Sequence, residues 1–161
     1  MATTQYLNGS DIALLLEKGG KWIPTLGAKS HKLAVKSATK ERVDKDTPNS
    51  LYKSKEVKTL EITINVDGFV KIGTDTDGVI AEELHAMIKE AKPVKLRYGY
   101  RTTPTGGAEY EEGLFIIDSF ERTDPASDDA TYTASFSNTG EVKTVKATVS
   151  SSSSSGSTTG K

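Results

Sequence analysis

The segment LEITINVDG, residues 60–68, alternates apolar with polar side chains and then ends on a glycine. Successive side chains of a β-strand point to opposite faces, so this alternation places one set in a core and the other set outside it. The apolar set is Leu60, Ile62, Ile64 and Val66, and the polar set is Glu61, Thr63, Asn65 and Asp67. We predict a half-buried strand whose polar face looks onto water, a ligand or the inside of something larger.

Several other short segments have the pattern of strands. They are 12–16, 22–24, 33–35, 94–100, 114–117, 131–137 and 145–149. The first two flank Gly19 and Gly20, which predicts a hairpin with Trp22 in the core. Residues 114–117 are apolar on both faces, which predicts a strand covered on each side. In 131–137 the residues that alternate with the apolar set are Thr131, Thr133, Ser135 and Ser137.

One segment has helical periodicity. Ile80, Leu84 and Ile88 recur at intervals of four residues, and Pro93 ends the pattern. We expect this helix to pack on the sheet, so the predicted fold class is mainly β with one α-helix. A chain of 161 residues is long enough for one sizeable core, and a single domain is predicted over residues 1–149.

Two segments depart from this strand pattern. Residues 37–58 are crowded with charges around a proline, which predicts a long projecting loop without regular structure. This loop is either a solvated surface excursion or an arm that reaches a neighbouring subunit. Residues 150–161 are rich in serine and cannot bury enough apolar surface to become ordered, so a flexible tail is predicted.

Composition excludes several classes of protein. The 21 basic and 22 acidic side chains give a net charge of -1, so no overall field draws the chain onto nucleic acid or an anionic membrane. The absence of cysteine excludes disulfide frameworks and thiol nucleophiles. Neither a signal-peptide pattern nor an apolar run of about 20 residues is present. We therefore expect no membrane anchor, and assembly in the cytosol.

No segment has the spacing of a catalytic or metal site. GTDTDG, residues 73–78, begins like a calcium loop, but Gly73 and Leu84 occupy the first and twelfth positions and lack ligand side chains. A strand-to-helix turn with Asp77 near the helix start is the better interpretation. His31 and His85 have no partner at a catalytic or ligand spacing, so we interpret both as structural or solvent-facing.

The strand at 94–100 has a basic face that continues to Arg101. Lys95, Arg97 and Arg101 could hold phosphate, but no aromatic residue lies between them on that face to stack a base. We expect them to pair with acidic residues of a neighbouring strand or subunit. With no catalytic group in view, the remaining classes are a binding module and a structural module.

The order of four stretches gives the chain a resemblance to a known family. They are GSDIALLLEKGGKWIP, KERVDKDTPNSLYKSKEV leading into LEITINVDGF, the helix before PVKLRYGY, and EGLFIIDSFERTDPASDDATYTASFSNTGEV. Over residues 7–145 the chain resembles the tail tube protein, also called major tail protein, of long-tailed bacteriophages. The last stretch is the most specific, because members tend to show a strand, an acidic proline-containing turn, an alternating strand and a terminal glycine turn.

The resemblance implies a β-sandwich or split β-barrel with one flanking helix, whose subunits form hexameric rings that stack into a hollow tube. The implied partners are further copies of the chain, the tape-measure protein, the tail terminator, baseplate or distal tail proteins, and phage DNA in transit without tight binding. The implied location is the virion tail, after assembly in the host cytoplasm. In this family the long loop and the N-terminal segment reach adjacent subunits or rings.

The polar strand faces are the candidate channel lining. Hydroxyl, amide and a few carboxylate groups would let DNA slide, whereas lysines would hold its phosphates. The candidate lining residues are Glu61, Thr63, Asn65, Asp67, Thr131, Thr133, Ser135 and Ser137. The candidate contact residues of the loop are Lys45, Asp46, Pro48, Leu51, Tyr52 and Lys55.

Two other functions fit parts of the pattern. The tube protein of a contractile injection or secretion machine would keep the ring and change the cargo. A monomeric β-sandwich adhesion or carbohydrate-binding module would need an exposed aromatic platform. The size of the assembled protein separates the tubes from the monomer, and we expect no enzyme activity, no metal and no cofactor.

Overall fold

A computed structural model describes residues 6–42, 45, 53–73, 78–101 and 108–147. The helical elements are a 3-10 turn at Gly9–Asp11 and one α-helix, α1, at Ala81–Glu90. The strands are β1 (Ile12–Lys18), β2 (Lys21–Pro24), β3 (Ala28–Arg42), β4 (Ser54–Phe69), β5 (Val94–Tyr100), β6 (Ala108–Thr123), β7 (Thr131–Asn138) and β8 (Lys143–Ala147). The predicted class, mainly β with one α-helix, is confirmed.

All eight strands belong to one antiparallel sheet with the order β2-β1-β5-β6-β7-β4-β3, and β8 also pairs with β6. The long strand β6 joins two halves of this sheet. Its first half pairs with β5 and β8, and its second half pairs with β7. The half made of β6, β7, β4 and β3 carries the predicted polar residues.

The sheet curls around its apolar face. The ring centroids of His31 on β3 and Tyr98 on β5 lie 6.4 Å apart, although three strands separate β3 from β5 in the sheet order. The enclosed side chains form the core, to which α1 contributes Ala81 and Leu84. The fully buried members from the strands include Leu14, Leu16, Ile64, Val66, Leu96, Phe115, Tyr132, Ala134 and Phe136. An open, curled sheet of this kind confirms the split-barrel expectation.

The local predictions from alternation hold. The hairpin β1–β2 turns at Gly19 and Gly20, whose φ angles of 59° and 78° are in the left-handed region that glycine adopts most easily. The even-numbered residues of β4 from Ile62 to Gly68 and those of β7 face the core, as the period of two requires. Helix α1 ends at Glu90, and Ala91 adopts a left-handed conformation with φ 53°.

The prediction that residues 37–58 lack regular structure is wrong at 37–42 and 54–58, which belong to β3 and β4, and residues 43, 44 and 46–52 lie outside the described residues. Strands β3 and β4 continue pairing beyond the rest of the sheet, as far as Arg42 opposite Ser54, and this extension forms a projecting two-stranded arm. We define the arm as residues 35–42 and 53–62. Its charges pair across the hairpin, with Arg42 Nε 2.9 Å from Glu56 Oε2 and Lys53 Nζ 3.1 Å from Glu41 Oε2. The many charged residues hid these strands in the sequence, although backbone hydrogen bonds between the two strands hold them in place.

Two burial predictions are also wrong. Trp22 is half-buried and lies outside the core cluster, because its neighbour Ile23 takes the inward-facing position on β2. The strand segment 114–117 is covered on one face only. Phe115 is fully buried, while Leu114 and Ile116 are 48% and 42% exposed on the opposite face.

Candidate functional site

The predicted lining residues lie together on one face of two neighbouring strands. Strands β4 and β7 run antiparallel with Thr63 opposite Ser137, Asn65 opposite Ser135 and Asp67 opposite Thr133. Paired residues point to the same side of a sheet, and the residues between them, such as Ile64 and Phe136, are buried in the core. The predicted side chains therefore face away from the core.

The two remaining members extend this face at its ends. Thr131 pairs with Phe69 at one end of the β4–β7 ladder, and Glu61 lies beyond the end of β7, opposite Lys36 of β3. We call the surface formed by all eight residues the polar face. Their role as a channel lining stays a prediction.

The flanking strands widen the polar face in a way that the sequence did not reveal. Strand β3 adds Ser30 and Lys32 opposite Asp67 and Asn65. Strand β6 adds Ser119 and Glu121 opposite Ser135 and Thr133. Alternation in each strand was readable from the sequence, but the identity of its neighbours depends on long-range pairing.

Hydrogen bonds connect four strands, β3, β4, β7 and β6, across this surface. Asp67 accepts one from the Thr133 hydroxyl at 2.9 Å and a second from the Ser30 hydroxyl at 3.1 Å. Ser137 donates to Asp118, which lies in an irregularity of the β6–β7 register. Hydroxyl groups thus fix the positions of the carboxylates of Asp67 and Asp118. A ligand at this exposed surface would compete with these side chains for the same hydrogen bonds.

The polar face also influences a buried residue directly beneath it. Burial and, secondarily, the charge of Asp67 raise the pKa of Tyr132 to about 12. The Tyr132 hydroxyl donates to the Leu26 carbonyl oxygen at 3.2 Å. Tyr132 therefore remains a neutral hydrogen-bond donor across the physiological pH range.

The basic row on β5 is paired with acidic residues, as predicted for Lys95 and Arg97. Arg97 donates to Glu112 Oε2 from Nε at 3.1 Å and from Nη2 at 2.7 Å. Its guanidinium carbon also lies 4.3 Å from the Trp22 ring centroid. Lys95 Nζ lies 3.5 Å from Glu112 and 3.6 Å from Glu17. These pairings occupy Lys95 and Arg97, whereas no ion pair in the described residues involves Arg101, which is exposed.

The candidate loop residues are only partly described. Lys45 and Lys55 are exposed, and Lys55 lies in the arm opposite Glu41. Asp46, Pro48, Leu51 and Tyr52 lie outside the described residues, as do Asp77 and the serine-rich segment 150–161.

Two negative findings apply to the described part of the chain. No group of three or more His, Cys, Asp or Glu side chains there is arranged to hold a metal ion. No helix in the same residues is long and apolar enough to cross a membrane.

A curled antiparallel sheet with a polar face and exposed strand margins defines a β-rich structural subunit. The model of the phage tail tube protein family matches residues 6–144. The chain belongs to this family, which confirms the resemblance seen in the sequence. No curated protein matches the chain.

Solved structures with the same fold come from several tail-like particles. The chain superimposes on a subunit of the tail of an empty gene transfer agent particle, refined with C6 symmetry, with a TM-score of 0.68 at 16% identity, covering 87% of this chain and 99% of the other. The tail tube of SPP1 gives 0.65 at 14% identity, covering 88% and 78%. The baseplate of the anti-feeding prophage gives 0.57 at 4% identity, covering 89% and 97%. At such low identities, these likenesses establish the fold alone.

Proposed function

We propose that this chain is a non-catalytic virion protein that assembles into hexameric rings, and that the rings stack into a hollow tail tube through which phage DNA passes. The polar face lines the bore in this proposal. The single observation that carries it is the alignment of the eight polar residues on one face of β4 and β7, in a chain of the tail tube family.

The strand order supports closure into a ring. Strand β3 has β4 on one side only, and β6 beyond Phe115 has β7 on one side and no strand on the other, within the described residues. These two margins border the part of the sheet that carries the polar face. Pairing β3 of one copy with β6 of the next would satisfy both margins and remove edges that otherwise promote aggregation.

The number of subunits is taken from the comparison with the gene transfer agent tail, which has C6 symmetry. Each subunit would contribute β6, β7, β4 and β3 to a continuous barrel. In large barrels of this kind the inward-facing residues alternate with residues that face the outer layer. The inward set would be the polar face, and the outer layer would be the core with α1.

The chemistry of the polar face is suited to a passing polyanion. DNA binds proteins mainly through lysine and arginine contacts to phosphate, and each such contact must be broken before the DNA can move. The central ladder of the polar face instead presents hydroxyl, amide and carboxylate groups. Lys32 and Lys36 lie on β3, at the margin where the next subunit would join.

The proposal places the protein in the virion tail after assembly in the host cytoplasm. Its partners are further copies along the tube, the tape-measure protein within it, and the terminator and baseplate or distal tail proteins at its ends. A second candidate is a tube of a contractile injection particle, which is favoured by the likeness to the anti-feeding prophage baseplate. In that case a protein cargo would replace DNA.

Electron microscopy of the concentrated protein tests assembly directly. We expect rings of about six subunits, or tubes with a central channel. A protein that stays monomeric at every concentration and ionic strength contradicts the proposal and favours a binding module.

Lysine substitutions test the lining. Thr63→Lys and Ser135→Lys should leave tube formation intact and reduce DNA delivery by particles that carry them, because each tube then presents rings of cations to the phosphates. Ala86→Lys is the matched control, since Ala86 is exposed on α1, away from the polar face. Loss of tubes in the first two variants would place these positions in an interface.

A further inference from the structure

We propose that a cleft at the open seam of the curled sheet binds a phosphate group, supplied by inorganic phosphate or by a mononucleotide. The seam is the gap between the start of β3 and the nearby ends of β1 and β5, which do not pair with β3 in the described residues. The cleft has a volume of about 540 Å³, and small-molecule sites span roughly 300–1,000 Å³. Its lining belongs to a single subunit, so binding does not require the proposed tube.

The lining of the cleft is basic and contains hydroxyl donors. Basic groups come from Lys29, His31 and Arg101, and hydroxyl groups come from Ser10 and Tyr98. Among the described residues, the lining includes no acidic side chain. A phosphate group is anionic and accepts several hydrogen bonds, so cations and hydroxyl donors without a competing carboxylate are suited to bind it.

Arg101 is the strongest candidate to bind the phosphate. Within the described residues, no ion pair involves Arg101 or Lys29. The backbone N–H of Arg101 donates to the Asp11 carbonyl oxygen at 2.6 Å, which fixes this residue at the cleft. Its guanidinium group presents a planar pair of donors, the geometry that binds two phosphate oxygens at once.

A β-bulge brings two adjacent residues of β3 to the cleft. Ala28 pairs with Gly68 and Ser30 pairs with Asp67, so Lys29 is an extra residue in the ladder. In a regular strand Lys29 and Ser30 would point to opposite faces, but both line the cleft. The Ser30 hydroxyl donates to Asp67. Lys29 is therefore the group that the bulge offers to an anion.

His31 lies where the two walls of the seam meet. Its ring centroid is 6.4 Å from that of Tyr98, with the planes at 75°, and its Nε2 lies 3.5 Å from Thr25 Oγ1. Burial and, secondarily, the charge of Arg101 lower the pKa of His31 below 6.5, so the imidazole is neutral at pH 7. A bound anion would offset the charge of Arg101 and favour the protonated imidazole.

The other titratable and charged groups near His31 do not oppose this effect. Tyr98 stays a neutral donor, because burial raises its pKa. The charged residues of the adjoining elements that lie outside the lining are Asp11, Lys32 and Asp67. Lys32 and Asp67 belong to the polar face, on the opposite side of the sheet from His31. An anion in the cleft should therefore control the protonation of His31.

The size of the cleft leaves room for more than a phosphate ion. Leu7 and Ile12 also contribute to its lining, so an apolar wall lies beside the basic groups. A mononucleotide would place its phosphate at Arg101 and its base or sugar against this wall. Apolar contact adds to the affinity that the charges provide, so AMP should bind more tightly than inorganic phosphate.

Equilibrium dialysis with radiolabelled phosphate tests the site in the full chain, whether or not the chain has assembled. The native protein should bind phosphate saturably, and Arg101→Gln should weaken binding about tenfold or more, because a charge-assisted contact is lost. Arg122→Gln is the matched control, since Arg122 is an exposed arginine outside the cleft that pairs with Asp124. Equal affinity of the native protein and Arg101→Gln, or no saturable binding by the native protein, overturns the proposal.

Competition distinguishes the two sources of the phosphate group. If AMP displaces the labelled phosphate at a lower concentration than unlabelled phosphate does, a mononucleotide is the ligand. If AMP displaces it less well, inorganic phosphate is the ligand, and in both cases the site stands. Displacement by sodium chloride at the same ionic strength would show unspecific attraction between charges and overturns the proposal.

The two histidines of the chain give an independent readout by NMR. His31 lines the cleft, whereas His85 is exposed on α1 and stacks on Phe120 with ring centroids 5.4 Å apart. At a concentration where sedimentation finds single subunits, sodium sulfate should raise the pKa of His31 more than sodium chloride of equal ionic strength does. The His85 signals should not respond specifically to sulfate. Equal effects of the two salts on His31 would overturn its place beside the anion.

Discussion

The side-chain oxygen of Asn138 accepts a hydrogen bond of 2.8 Å from the backbone N–H of Ile62. Asn138 is the last residue of β7, and the arm begins at Ile62 on the neighbouring strand. The Asn138 side-chain amide also donates to the Gly140 carbonyl at 2.8 Å. One side chain therefore extends the β4–β7 pairing by a further hydrogen bond and connects the base of the arm to the turn after β7.

Replacing this side chain should loosen the base of the arm. Asn138→Ala leaves the Ile62 N–H without its acceptor, which should cost about 1–2 kcal/mol of unfolding free energy. Amide hydrogen exchange at Ile62 should accelerate, while exchange at Ile64 within the ladder should change much less. Asn138→Asp keeps an acceptor oxygen and serves as the comparison. Equal exchange rates at Ile62 in the native protein and Asn138→Ala would contradict this role.

Periodicity made the central part of the fold predictable. The alternation in β4 and β7 determined which residues enter the core, and the structure places those strands side by side with the predicted polar residues on the same face. Such patterns are local, because a strand side chain points inward or outward according to its position in the strand. The hairpin at Gly19 and helix α1 were predictable for the same reason.

Long-range packing accounts for what the sequence did not reveal. Trp22 looks like a core residue, but in the structure it stacks against the Arg97 guanidinium outside the core. Leu114 and Ile116 look buried, but one face of β6 has no covering layer in a single subunit. Most of the arm has no strand pattern in its sequence, because its two strands are not packed on a core and are held instead by pairing with each other. Each error arises where tertiary neighbours outweigh residue type.

Gly68 lies in a place where the sheet has no room for a side chain. A Cβ atom there would lie 2.5 Å from the Gly27 carbonyl oxygen and 2.9 Å from Cε1 of Tyr132. Gly68→Ala should therefore reduce the unfolding free energy by about 1–3 kcal/mol through overpacking. Chemical denaturation measures the loss.

Gly9→Ala is the matched control, because a Cβ atom at Gly9 would have no neighbour within 4 Å. Its effect should stay within about 0.5 kcal/mol. Similar losses in the two variants would show that the close approach between Gly68 and Gly27 is not the cause.

The pair of Arg97 and Glu112 should make stability depend on pH in acid. Burial raises the pKa of Glu112, but hydrogen bonds and charge from Arg97, and then from Lys95, outweigh it and hold the pKa below its ordinary value of 4.5. A carboxyl group with a lowered pKa in the folded state stabilises the fold above its ordinary pKa, and this stabilisation is lost as the pH falls through the lowered value.

Glu112→Gln should then cost about 1 kcal/mol at pH 7, and the difference from the native protein should shrink below pH 4.5. Urea denaturation between pH 3 and pH 7 measures both curves. Glu82→Gln is the control, since its only recorded ion pair in the described residues is a 4.0 Å contact with Arg122. A difference that is constant with pH would show that the charge of Glu112 does not contribute.

Tyr132 should make the fold sensitive to alkali. Its pKa is raised from 10.0 to about 12 by burial and by Asp67, so the folded state holds the proton more tightly than the unfolded state does. Stability from this group is fully present below pH 10 and is lost as the pH rises from about 10 through about 12.

Tyr132→Phe removes both the titration and the hydrogen bond to the Leu26 carbonyl. It should cost about 1 kcal/mol at pH 8 and lose less stability than the native protein between pH 10 and pH 12. Denaturation of both proteins across this range measures the effect, with Tyr100→Phe as the control for an unrelated tyrosine. If the stabilities of the native protein and Tyr132→Phe changed in parallel with pH, the raised pKa of Tyr132 would be contradicted.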